Sequence, residues 1–278
     1  MDKLESFKSI AAEANRGDLI FPTNVNASLK IQQTLNDPDC HLETAAKLVL
    51  AEPLLSARTV AIANSVAYNR SGNEVTSVSV AVMRLGFRTL RSLVAAVVVR
   101  QLGSAISDPK LRQMSAQLWE HTANVAALAH VIARRVTHLD PETAMFAGIV
   151  HEVGGFYLLS RADQFPGILE GNQEDWVEYG EKVIGRGVLK KLAVPQAVTE
   201  AVEAMWYGFR AVPPVTLGDT LLLANDLSPV PSPLQDRAGA TTKQSASTID
   251  FVVGDGTLSS ILEESAEEVR ELTAALMA

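Results

Sequence analysis

The chain has 278 residues and a formal net charge of −8 at pH 7; 47% of its residues are hydrophobic and 20% charged. That composition excludes a disordered chain and supplies a sizeable core. The acidic balance argues against binding to nucleic acid or to an anionic membrane surface, and a single cysteine, Cys40, excludes an internal disulfide.

The first five residues, Met1 to Glu5, carry acids and no apolar signal core. The longest apolar run, Leu93 to Val99, lies between Arg91 and Arg100. It falls far short of the ~20 residues a membrane helix needs. A cytoplasmic protein with no membrane partner is the expectation.

Apolar residues recur at steps of three and four along most of the chain, the amphipathic-helix signature. Helices are predicted over 2–15, 24–36, 42–51, 53–66, 76–84, 87–102, 109–137, 141–161, 174–192, 195–207, 215–227 and 257–277. Asp108-Pro109 and Asp140-Pro141 each read as an N-cap followed by proline at the first helical position. Glu52-Pro53 and Val194-Pro195 mark further restarts, and Asn69 to Asn73 reads as a loop. Pro229, Pro231 and Pro233, with the polar stretch to Thr248, read as a linker. The expected fold class is therefore all-α.

Four stretches together resemble the HDOD family. They are Leu35-Asn36-Asp37-Pro38-Asp39 followed by Glu52-Pro53-Leu54-Leu55; Ala63-Asn64-Ser65-Val66-Ala67-Tyr68; Ala81 to Phe87 with its Leu85-Gly86 ending; and Leu118-Trp119-Glu120-His121 with the later Ala147 to Gly154 segment. The resemblance implies an N-terminal helical bundle, about 20–106, packed on an HD-domain-like helical bundle, about 107–228. Residues 1–19 then form an N-terminal helix, 229–248 a linker and 249–278 a C-terminal amphipathic helix. It also implies a bacterial signal-transduction role rather than an established hydrolase.

The HD superfamily holds a divalent metal with a His…His-Asp…Asp set, and the metal activates a water beside a substrate phosphate. By the resemblance, His121 and His151 match the two histidines. Glu152 stands where the first aspartate is expected and Asn225 where the last is. An amide is a weak, neutral ligand, and glutamate displaces its carboxylate by about a bond length. Where relatives often carry a further histidine and a His-His pair, this chain has Glu181 and Met205-Trp206. The expectation is a relic site with no metal and no cofactor, its histidines hydrogen-bonded in the bundle. His41, His130 and His138 lack ligand-like spacing and read as structural or solvent-facing.

Other constellations read as architecture. Cys40 beside His41 cannot face it on a helix. Asn64 and Ser65 can terminate a helix through side-chain bonds to backbone, with Tyr68 beneath the loop. Arg84, Arg88 and Arg91 share one face if the helix continues through Gly86; they read as a solvated face, or as a contact for an anion or acidic partner. Trp206, Tyr207 and Phe209 read as anchors for a loop, or as a docking spot if exposed. Leu258, Ile261, Leu262, Val269, Leu272 and Leu276 form the C-terminal stripe, which should dock on the chain's own core or in a homodimer contact. The leading reading is a non-catalytic regulatory module binding a signalling protein or small ligand. The alternative is a metal-dependent phosphohydrolase acting on a nucleotide or cyclic dinucleotide.

Overall fold

The computed structural model describes residues 3–22, 25–169, 173–208, 210–234 and 249–278. Helices α1 (Lys3–Arg16), α2 (Val25–Asn36), α3 (Leu42–Leu50), α4 (Pro53–Asn64) and α5 (Val78–Leu102) come first. They are followed by α6 (Pro109–Ile132), α7 (Pro141–Val150), α8 (Val153–Arg161) and α9 (Gln173–Asp175). A π-helical segment, Trp176–Gly185, runs into α10 (Arg186–Lys191); α11 (Gln196–Met205) and α12 (Leu217–Leu227) complete the predicted HD-like part. A two-residue hairpin, β1 (Val252–Val253) with β2 (Gly256–Thr257), precedes α13 (Leu258–Glu264) and α14 (Ala266–Met277). The all-α expectation holds: among the described residues this hairpin is the whole of the sheet structure.

α5 is the axis of the molecule. Its second half, Leu93 through Val99, is wholly buried because helices surround it: α2, α3 and α4 on one side and α7 on the other. That explains an apolar run with no polar face. At Gly86 the backbone turns to φ 70°, ψ 176°, outside helical space, a conformation that glycine adopts without steric cost. The expected gap between 76–84 and 87–102 is this kink. α6 starts as predicted, with the Asp108 carboxylate accepting the N–H groups of Lys110 (2.7 Å) and Leu111 (3.1 Å). Asp140 differs. Its carboxylate accepts Thr143 Oγ1 (2.5 Å) and Arg88 Nη1 (3.2 Å) rather than a helix N–H.

α6 and α7 form the closest helix pair of the predicted HD-like part. A Cβ placed on Gly148 would lie 2.5 Å from the Ala126 Cα, so the two backbones meet where a side chain would not fit. Segments predicted as single helices break at functional or tightly packed points. The expected helix 141–161 interrupts at His151-Glu152, where Glu152 takes φ −109°, ψ 23°. The expected helix 174–192 widens into π geometry beside Gly154, whose absent Cβ lets Gly185 approach (2.9 Å from that position to the Gly185 Cα). The expected helix 257–277 bends at Ser265.

Two segments carry more structure than a linker followed by a single helix. Residues 229–234 are no free linker, since they lie across α6 and α8 with Leu234 buried; the remainder, 235–248, lies outside the described residues. The C-terminal segment begins with the hairpin and then docks α14 on α6 and α4 of its own chain, burying Leu258, Ile261, Leu272 and Leu276. Its acids are not all a solvated face. Glu264 pairs with Arg135 (2.6 Å), Glu268 with Arg134, and Glu271 accepts the Val66 N–H (2.6 Å). No helix among the described residues is long and apolar enough to cross a membrane.

Candidate functional site

His121 sits in the middle of α6 and His151 at the end of α7, and the α6–α7 contact brings their Nε2 atoms to 3.3 Å. Both rings are buried, at 2% and 7% exposure. Each ring is oriented from behind. His151 Nδ1 lies 2.6 Å from the Gly148 carbonyl and His121 Nδ1 lies 2.7 Å from the Val230 carbonyl. A carbonyl only accepts, so each Nδ1 carries its hydrogen, and in the neutral rings both Nε2 lone pairs point at one another. Both Nε2 atoms are then left to accept a proton or a cation.

Glu152 joins them through the break between α7 and α8. Its Oε1 stands 3.9 Å from His121 Nε2, and its Oε2 accepts Ser232 Oγ (2.9 Å). Ligand atoms of His121, His151 and Glu152 lie within 4.8 Å of one another. Burial, and then the neighbouring His121, lowers the His151 pKa to about 3, while burial raises that of Glu152. Burial, and then the Glu152 charge, pushes Glu181 on the π-helical segment up to about 8.

These three donors fit a small divalent ion: two imidazoles with bare Nε2 atoms, each braced at Nδ1 by a carbonyl, and one carboxylate. Such an ion would polarise a phosphate oxygen and acidify a bound water. Asn225 does not join the group through a hydrogen bond. It is half-buried on α12, and its carbonyl accepts the Ser228 N–H (3.3 Å). Asp226 pairs instead with Arg210 (3.1 Å).

The chain itself covers this site. From α12 the segment 228–234 crosses it as a strap. Val230 braces His121 from behind at Nδ1, Ser232 donates to Glu152 Oε2, and the Leu234 side chain fills the space beside Gly155, 2.5 Å from where a Cβ would stand. The strap was invisible in a proline-rich composition, because its contacts are made by one carbonyl and one hydroxyl.

A second buried polar centre was also missed. His130, 3% exposed, lies between Glu142 (Nε2 to Oε1, 3.5 Å) and Glu268 (Nδ1 to Oε1, 3.5 Å). Tyr68 and Thr89 hydroxyls donate to Glu142 at 2.5 and 2.8 Å, and Arg134 donates to Glu268. His130 is structural, as expected, but three distant stretches of sequence converge on it, and no local spacing carries that signal.

The signature residues act locally. Asn64 pairs in both directions with Val75, its Nδ2 donating to the carbonyl and its Oδ1 accepting the N–H, each at 2.7 Å. Ser65 Oγ donates to Ile62 O at 2.7 Å. Tyr68 reaches past the loop to Glu142. The kink at Gly86 parts Arg84 from Arg88 and Arg91, and each of the three hydrogen-bonds within the fold. Arg84 donates to the Ala63 and Asn73 carbonyls, Arg88 to Asp140, and Arg91 twice to Leu35 O. Trp206 packs half-buried under Arg186, Tyr207 is exposed, and Phe209 lies outside the described residues.

An all-helical molecule with a His-His-Glu cluster at the junction of two helices belongs among the HD-like folds. The family model for the HDOD domain matches residues 21–206, and the chain belongs to that family. No curated protein matches. Among solved structures, a Shewanella amazonensis SB2B protein provisionally described as a metal-dependent phosphohydrolase superposes with a TM-score of 0.70 at 22% identity, covering 99% of this chain and 100% of its own. An HDOD domain protein of unknown function from Geobacter sulfurreducens gives 0.59 at 22%, covering 98% and 97%. A Marinobacter aquaeolei VT8 protein provisionally described in signal transduction gives 0.50 at 18%, covering 99% of this chain and 65% of its own. At these identities the likeness is one of fold.

Proposed function

We propose that this chain is a non-catalytic signal-transduction module that binds a protein partner or small ligand and uses its HD-like position for architecture. The observation that carries this reading is the strap. A catalytic metal centre keeps a coordination position open to water and substrate. Here the rings of His121 and His151 are buried, and the chain's own 228–234 segment engages the Glu152 carboxylate through Ser232 and lays Leu234 beside Gly155. Replacement of the motif aspartate by Glu152 and the absence of Asn225 from the cluster's hydrogen bonds agree with it. The Marinobacter protein's description in signal transduction points the same way.

Solvent access to the imidazoles tests the reading. In the folded chain, diethylpyrocarbonate should modify the exposed His41 and His138 and spare His121 and His151. Modification of His121 or His151 at the rate of His138 would mean that the strap opens and the site admits small molecules.

One observation favours a second reading, a metal-dependent phosphohydrolase acting on a nucleotide or cyclic dinucleotide. The facing Nε2 atoms and Glu152 form a donor set suited to a divalent ion, and the Shewanella protein carries such a description. Stoichiometric metal that is lost in His151→Ala, together with turnover, would establish it.

A further inference from the structure

Arg58 lies in the middle of α4 and is 0% exposed, yet none of its three guanidinium nitrogens has a hydrogen-bond partner. The ring of Trp119 on α6 lies 5.5 Å from the guanidinium carbon, and the indole Nε1 is also buried without an acceptor. A contact over the ring face returns only part of what desolvating a guanidinium costs. Proton loss offers no escape. Burial lowers the Arg58 pKa to about 10, with Arg100 repelling and Glu52 opposing, so the group stays cationic at neutral pH. Glu52 attracts the cation without hydrogen-bonding to it, its Oε2 accepting the Leu55 N–H as the cap of α4 (2.6 Å), and Arg100 is itself a cation, donating to the Met277 carbonyl (3.0 Å).

We propose that Arg58 and the indole N–H of Trp119 form a buried binding site for an oxyanion, a phosphate or phosphate-ester group supplied from outside the chain. Every orphaned group at this place is a donor, so the ligand must be an acceptor, and a planar guanidinium fork with an adjacent N–H matches an oxyanion with several oxygens. The nitrogens do not reach solvent. Binding is therefore coupled to an opening of the packing around α4 and α6, the pair on which α14 rests. The inference is independent of the reading of His121, His151 and Glu152.

The test is thermal unfolding of the full chain in chloride, sulfate and inorganic phosphate at one ionic strength. Phosphate also stabilises proteins generally by exclusion from their surface, so the readout is the difference between wild type and Arg58→Met. Wild type should show a saturable rise in Tm with phosphate that Arg58→Met lacks, and a matching rise in sulfate supports the same site. Arg58→Met should be at least as stable as wild type in chloride, because an apolar side chain carries no buried charge. A phosphate response equal in the two proteins, or none in wild type, overturns the proposal. Should Arg58→Met fail to fold, Trp119→Phe keeps the ring and removes the donor. It should raise the phosphate midpoint about tenfold, the loss of one hydrogen bond to a charged acceptor, and an unchanged midpoint would overturn the proposal.

Discussion

His121 and His151 each place the Nδ1 hydrogen against a carbonyl, so whatever lies between their Nε2 atoms decides what the pair can do. That geometry depends on Gly148, which supplies the carbonyl to His151 and also lets α7 touch the α6 backbone at Ala126. Gly148→Ala should cost about 3 kcal/mol, at the upper end for overpacking because the clash is with backbone. Denaturant unfolding checks it, and a change below about 0.5 kcal/mol would show that the two helices can part. The residues of this cluster were legible in the sequence, because His121, His151 and Glu152 sit within short motif segments, although the helix break at Glu152 was not. Their cover was not. Val230 contributes a carbonyl and Ser232 a hydroxyl, and neither residue type announces such a role. Arg84, Arg88 and Arg91 show the converse: they would share a face only if the helix ran through Gly86, and the glycine at φ 70° parts Arg84 from the other two.

The C-terminal helix α14 is held by apolar burial and by one buried charge centre. His130 presents both ring nitrogens to carboxylates, Glu142 from α7 and Glu268 from α14, each at 3.5 Å, and only the imidazolium is attracted to both. Burial opposes the charge on His130, but the two glutamates outweigh it and raise its pKa. Burial likewise opposes the charges on Glu142 and Glu268. His130 with Tyr68 outweighs it at the first, and His130 with Arg134 at the second, lowering both. The signs give a window. The His130 contribution is fully present below its ordinary 6.5 and is lost as pH rises through the raised value. The glutamate contributions are present above 4.5 and are lost as pH falls through their lowered values. Docking of α14 should thus be tightest between about 4.5 and 6.5 and loosen on the alkaline side. Amide exchange in Ala266–Met277, corrected for its intrinsic pH dependence, should show less protection at pH 9 than at pH 6. The difference should vanish in Glu268→Gln, and equal protection in wild type at both values would remove His130 from the latch.

The described residues fold as packed helices, and most of that was readable because amphipathic periodicity and proline-led starts are local signals. What escaped were the breaks at Glu152, the π-helical segment and Ser265, each imposed by packing between distant segments or by a single residue's backbone. The expected docking of the C-terminal stripe on its own core is seen. Leu258, Leu272 and Leu276 are fully buried, at about 1.5–3 kcal/mol gross each before ordering costs. Cutting after Thr248 should therefore lower Tm by about 10 °C, the equivalent of a few kcal/mol in a chain of this size, and an unchanged Tm would mean that α13 and α14 add nothing to the core. On the proposed reading the strapped His-His-Glu cluster performs no turnover. Hydrolysis of nucleotides and cyclic dinucleotides by the full chain with added Mn²⁺ or Mg²⁺, beside His151→Ala, measures this directly. The same background rate is expected in both proteins, and hydrolysis by wild type that disappears in His151→Ala would overturn the reading.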